Sequence, residues 1–193
     1  NREAIIEYFD AHASHWDEGM FRVEKNISEI LDLAGVAEGD KILDVACGTG
    51  VLIGDYLKRN AGMVVGVDFS PGMIEIANMK FSDPRVRFLN DDIENIGEGF
   101  KFDRAIVYNA FPHFINPREV IRKMVNCVRT GGTVTIAHGT SREDINACHN
   151  SLTECYARDL PPAVEVAKLF PENVEIENII DGDFYLVSGR KII

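Results

Sequence analysis

Three aspartates fall where short apolar runs end. Asp44 lies in Ile42-Leu43-Asp44-Val45, Asp68 closes Met63-Val64-Val65-Gly66-Val67-Asp68, and Asp92 follows Val86-Arg87-Phe88-Leu89 within Asn90-Asp91-Asp92-Ile93. A carboxylate at a strand tip accepts hydrogen bonds from hydroxyls and amines and attracts a cation. Between the first two acids lies Ala46-Cys47-Gly48-Thr49-Gly50, whose paired glycines force a tight turn and leave the backbone bare for a ligand. Amides at the start of the next helical run point at whatever sits there. Asp44 sets the sign of that ligand, because a carboxylate beside the loop repels a pyrophosphate and attracts an ammonium or sulfonium. A G-x-G-x-x-G dinucleotide fingerprint is missed by one residue: its third glycine position is Ile53, and Gly54 follows. His113, His138 and His149 are of the type that moves protons near neutral pH.

Bringing these groups into one crevice requires strands alternating with helices, and the hydrophobic pattern provides them. Buried, β-branched runs at 42–45, 63–68, 86–89, 102–108 and 133–137 read as parallel strands. Helix formers fill 51–59, and Ser70-Pro71 opens the next helix with a cap and a first-turn proline. Val120, Ile121, Met124, Val125 and Val128 share one face over 117–128, after which Gly131-Gly132 turns the chain into the fifth strand. Upstream, Ile5, Ile6, Phe9, Ala13 and Trp16 recur at helical spacing over 2–18, and a second amphipathic helix over 23–33 stops at Gly35. Downstream, Ser141 and Asp144 form a capping pair ahead of a helix that begins at Arg142 and carries Asn146 and His149 on neighbouring turns. Pro161-Pro162 breaks it, a helix covers 163–170, and runs at 174–180 and 184–188 close the chain as a hairpin through Asp181-Gly182-Asp183. Ligands of open parallel sheets sit at the strands' C-terminal ends, so Asp44, Gly48, Asp68, Asp92, Asn109, His113 and His138 share one crevice.

The 193 residues, 46% of them hydrophobic, suffice for one core, so a single domain over 1–193 is expected. A formal charge of -11 and a pI near 4.9, with no long Lys/Arg cluster, argue against nucleic acid as a partner. No run is apolar enough for a membrane span, and Arg2, Glu3, Glu7 and Asp10 deny the N-terminus a signal-peptide core. The chain reads as cytoplasmic. Cys47, Cys127, Cys148 and Cys155 show no C-x-x-C spacing, and reduced thiols are expected there.

Residues 44–50, D-V-A-C-G-T-G, resemble the first motif of the class I S-adenosylmethionine-dependent methyltransferases. The resemblance implies an α/β, Rossmann-like doubly wound sheet of seven strands in the order 3-2-1-4-5-7-6, the last antiparallel. It implies a helical lid over 1–40, a cofactor core over 41–137, a helical insertion over 138–170 and a hairpin over 171–193. S-adenosylmethionine would then be held by Asp44, Ala46, Gly48, Gly50, Asp68, Phe69, Met73 and Asn109, with Asp68 on the ribose. The adenine falls to Asp92 and Ile93, Asp91 being a one-residue alternative. Asn109-Ala110-Phe111-Pro112 departs from the Asn-Pro-Pro-aromatic pattern of base N-methyltransferases, which favours a small-molecule acceptor. The Pro-His-Phe, Ser-Arg-Glu-Asp-Ile-Asn and Leu-Pro-Pro stretches are similar to those of a methyltransferase-like subgroup.

Methyl transfer needs alignment, exclusion of water and, for a protonated nucleophile, a base. His113 or His138 is the candidate base, with Trp16, Arg142 and His149 on the substrate side; structural histidines bonded to backbone are the alternative. A three-histidine metal site with Cys148 or Glu143 has no supporting ligand spacing, so no metal is expected. Two other functions stay open on residues alone: a nicotinamide-dependent oxidoreductase, and a non-catalytic module that keeps the cofactor and grips a protein partner.

Overall fold

The computed structural model describes residues 2–20, 22–97, 99–151 and 157–193, the side chains of 150 and 151 excepted. Seven strands form one sheet: β1 Lys41–Val45, β2 Met63–Asp68, β3 Val86–Asn90, β4 Phe102–Tyr108, β5 Val128–His138, β6 Val174–Asp181 and β7 Tyr185–Lys191. Their spatial order is β3-β2-β1-β4-β5-β7-β6. The first five pair in parallel, while β7 runs antiparallel to both β5 and β6. The order reverses between β1 and β4, and this switch point opens the crevice at their C-terminal ends.

Side-chain alternation assigns the central strands to two cores. Leu43, Val45, Val65, Val67, Ala105 and Val107 face the side covered by α5 Pro117–Cys127, whose Val120, Ile121, Met124 and Val125 are buried against them. Ile42, Val64 and Ile106 face the other side, packed with Ile27, Ile30 and Leu31 of α2 Glu24–Leu33 and with Ile53 and Tyr56 of α3 Ile53–Lys58. Each fully buried Ile or Leu here contributes roughly 1.5–3 kcal/mol. At the opposite, N-terminal edge of the sheet, Arg104 of β4 donates to Asp40 at 2.8 Å, and both side chains are nearly enclosed.

The elements depart from the expected bounds in three instructive places. The first amphipathic run is an α-helix only over Arg2–His12 (α1) and tightens into a 3-10 helix over Ala13–Gly19, which seats the buried Ala13 and brings Trp16 over the sheet. β5 begins at Val128, before Gly131-Gly132, because Val128 already pairs with Phe102 and the register then shifts between Phe102 and Arg104. The helix after Pro162 spans only Ala163–Ala167 (α7). Elsewhere the local signals hold: Ser70 accepts from the Met73 N–H to cap α4 Pro71–Lys80, and Ser141 accepts from the Asp144 N–H at the start of α6 Arg142–Ser151.

Candidate active site

The tips of β1, β2 and β4 open on a cavity of about 380 Å³ roofed by α1 and the 13–19 segment. A second cavity of about 210 Å³ adjoins it toward β3. The two share Ala46, Asp68, Phe69, His113 and Phe114, so they form one continuous crevice. Asp44, Ala46, Gly48, Asp68, Phe69, Met73, Asn109, His113 and Trp16 line the first, and Asp91, Asp92 and Ile93 line the second.

Sharp exits from the strands make the room. Ala46 after β1 and Asn109 after β4 both adopt φ near +55°, a conformation that costs an L-residue roughly 1–2 kcal/mol. Asn109 is fixed there by its N–H to the Ala137 carbonyl at 2.9 Å and by its Oδ1, which accepts from the Gly139 N–H at 3.0 Å. The two loop glycines do different work. A Cβ on Gly48 (φ +53°) would meet nothing within 4 Å and would project into open space, as a ligand cradle requires. A Cβ on Gly50 (φ +85°) would lie 2.8 Å from the Phe81 ring, so Gly50 serves packing, and it lines neither cavity.

Asp68 holds the loop in place. Its Oδ2 accepts from the Gly48 N–H and its Oδ1 from the Ser70 N–H, both at 2.9 Å. Burial nevertheless raises its pKa to about 6, the two amides pulling the other way. Asp44 is 2% exposed, and burial followed by the charge of Asp68 raises its pKa to about 8. Two desolvated carboxylates facing one cavity are a receptor for positive charge. Asp92 accepts from the Glu94 N–H at 2.9 Å and pairs with Arg2 at 2.8 Å. Asp91 directs one oxygen to its own turn, accepting from the Asp92 N–H and the Asn95 amide, both at 2.7 Å.

The roof is latched to α4 and the glycine loop. Asp10 accepts from the Ser70 hydroxyl and, at 3.0 Å, from the Gly72 N–H. Asp17 accepts from the buried Thr49 hydroxyl and from Lys80, both at 2.6 Å. Phe9 lies at the centre of an aromatic chain, 5.3 Å from Trp16, 6.4 Å from Phe69 and 5.1 Å from His113 between ring centroids. Sequence reasoning passed over Phe9, His12, His15, Met20 and Tyr108 as site residues, although all line the first cavity. The spacing of His12, His15 and Trp16 within one amphipathic run was the available signal.

The remaining expected site residues separate. His113 stands in the wall shared by both cavities, 5.3 Å from His149. His138 lines neither; it is 0% exposed, and neither ring nitrogen has a hydrogen-bond partner among the described residues. Burial, then the neighbouring His149 and His113, lower its pKa to about 3. His149 lies behind His113, its pKa lowered by burial, and Arg142 faces outward to Asp181 at 3.1 Å and Glu143 at 2.9 Å. Among the described residues no group of three or more His, Cys, Asp or Glu has the arrangement to hold a metal ion. Cys155 lies outside the described residues.

Known proteins resemble this chain in sequence and fold. Residues 42–132 match the family model described as a methyltransferase domain. A malonyl-[acyl-carrier protein] O-methyltransferase of Acetivibrio thermocellus is 31% identical over 74% of this chain and 53% of its own length. The demethylmenaquinone methyltransferase of Paenarthrobacter aurescens is 30% identical over 68% of this chain and 51% of its own, so the chain spans about half the length of these relatives. Among solved structures, the protein complexed with the Haloferax volcanii Trm112 methyltransferase activator superposes with a TM-score of 0.82 at 18% identity, covering 98% of both chains. DhpI, solved with S-adenosylhomocysteine, superposes with a TM-score of 0.69 at 19% identity over 98% of this chain and 96% of its own. Matched domain, relatives and strand order together make the chain similar to the class I S-adenosylmethionine-dependent methyltransferases, whose fold it shares.

Proposed function

We propose that the protein transfers a methyl group from S-adenosylmethionine to a small-molecule acceptor held under the 13–19 segment. The observation that carries this reading is the continuous crevice in which Asp44, Asp68 and Asp92 stand at successive strand tips and His113 at their centre. When bound, S-adenosylmethionine supplies an electrophilic methyl group. Asp68 accepts from the ribose hydroxyls, with Phe69 and Met73 beside it. Asp92 accepts from the adenine amino group, with the Ile93 amide next to it. Asp44, Ala46 and Gly48 receive the amino-acid end, with Asn109 opposite. His113 takes the acceptor's proton, while Phe9 and Trp16 exclude water. The reaction belongs in the cytoplasm; among the described residues no helix is long and apolar enough to cross a membrane.

Calorimetry with S-adenosylhomocysteine tests the reading. The protein binds it, and Asp68→Ala weakens binding by about tenfold or more, since a hydrogen bond to a charged acceptor is worth ~1.5–3 kcal/mol. No binding by the native protein, or unchanged affinity in the variant, refutes the assignment.

One observation favours a second reading, in which a protein partner is required. The edge strand β3 leaves Leu89 exposed, Met79 of α4 is exposed as well, and the Haloferax neighbour was solved with an activator. Binding of S-adenosylhomocysteine without turnover until a partner is added distinguishes it.

A further inference from the structure

The first cavity is chemically lopsided. Beyond the two aspartates given to the cofactor, its walls are mostly aromatic and aliphatic, with Phe9, Trp16, Tyr108 and Phe114 among them; the imidazoles of His12, His15 and His113 line it too, His12 bonded to the Tyr8 carbonyl and His15 set against Glu18. Among the described residues no lysine or arginine lines it; Arg2 lines the adjoining cavity, where Asp92 pairs with it. An acceptor bearing a carboxylate or phosphate would shed its water there with only imidazoles to set against it, beside Asp44 and Asp68 and inside a chain of charge -11. An uncharged ring meets none of these costs. It finds rings already set edge-on around Phe9, an arrangement to which a further aromatic face or edge adds favourably.

We infer that the acceptor is a small, uncharged aromatic molecule with a phenol-type hydroxyl, seated among Phe9, Trp16 and Phe114 with that hydroxyl toward His113. The inference rests on the methyltransferase reading and narrows it. It makes Phe9 and Trp16 determinants of specificity, a role that asks for ring faces rather than charge.

Trp16 is the chain's one tryptophan and lines the cavity, so its fluorescence reports occupancy directly. The full chain, saturated with S-adenosylhomocysteine and held at about pH 8 to keep imidazole uncharged, is titrated with p-cresol and with its carboxylate counterpart, p-toluate. The expected result is saturable change with p-cresol and binding at least about tenfold weaker for p-toluate. Phe9→Leu should weaken p-cresol several-fold more than it weakens S-adenosylhomocysteine, the latter read by calorimetry. Equal or tighter binding of p-toluate overturns the inference, as does the absence of any p-cresol signal up to its solubility limit. Failure of S-adenosylhomocysteine to bind at the outset would strike the methyltransferase reading instead.

Discussion

Cofactor affinity should depend on pH through Asp44. Burial and the charge of Asp68 hold its pKa at about 8, so at neutral pH the side chain is mostly protonated. To face an ammonium or sulfonium as a carboxylate it must release that proton. The cost is about 1.4 kcal/mol at pH 7, one pKa unit below its midpoint, and roughly twice that at pH 6. The dissociation constant of S-adenosylmethionine should therefore fall about tenfold per pH unit between roughly pH 6 and 8 and then level off. Calorimetry in buffers of different ionisation enthalpy should record release of close to one proton at pH 7. Asp68, with its pKa near 6, adds a second step only at the acid end of this window. In Asp44→Asn the slope should vanish and affinity should stay near the weak, low-pH value of the native protein. A flat native profile over this range, or a slope that survives in Asp44→Asn, would refute the electrostatic argument.

Two further outcomes follow from the latch and the buried imidazole. Asp17→Ala removes the acceptor for the Thr49 hydroxyl and Lys80, so the 2–19 segment should become more susceptible to limited proteolysis and S-adenosylhomocysteine should dissociate several-fold faster in stopped-flow measurements. His138 stays neutral in the folded chain down to about pH 3, whereas an unfolded histidine takes up its proton near 6.5, so the native protein loses up to about 1.4 kcal/mol of stability per pH unit as pH falls through that window. Urea unfolding of His138→Leu should lack this component, and an identical pH dependence in the two proteins would contradict it.

Much of the architecture was legible because its signals are local. Buried runs, the glycine turn and the Ser70-Pro71 cap each depend on a few neighbouring residues, and the resemblance of residues 44–50 supplied the strand order. The placement of side chains around the strand tips was less legible. His113 and His138 both follow strands, yet only one reaches the cavity. His138 is the last residue of β5 and shares the pleat side of Val134 and Ile136, which points it into the core beside Tyr185. Gly48 and Gly50 look alike in sequence, and only the position of Phe81, far along the chain, tells cradle from packing. Of the roof residues Trp16 was legible as a substrate-side group, whereas His15 was hidden for a related reason: the change from α to 3-10 winding at Ala13, where the segment docks on α4, sets which side chains face the crevice.

Ser70 touches both halves of the machinery: its N–H goes to Asp68 and its hydroxyl to Asp10. Under the proposed assignment of Asp68 to the ribose, the donor contact and the roof latch meet at a single residue. On that reading, a shift of Asp68 would be handed through Ser70 to the Asp10 contact that holds the roof, tying release of the spent donor to the cover above it.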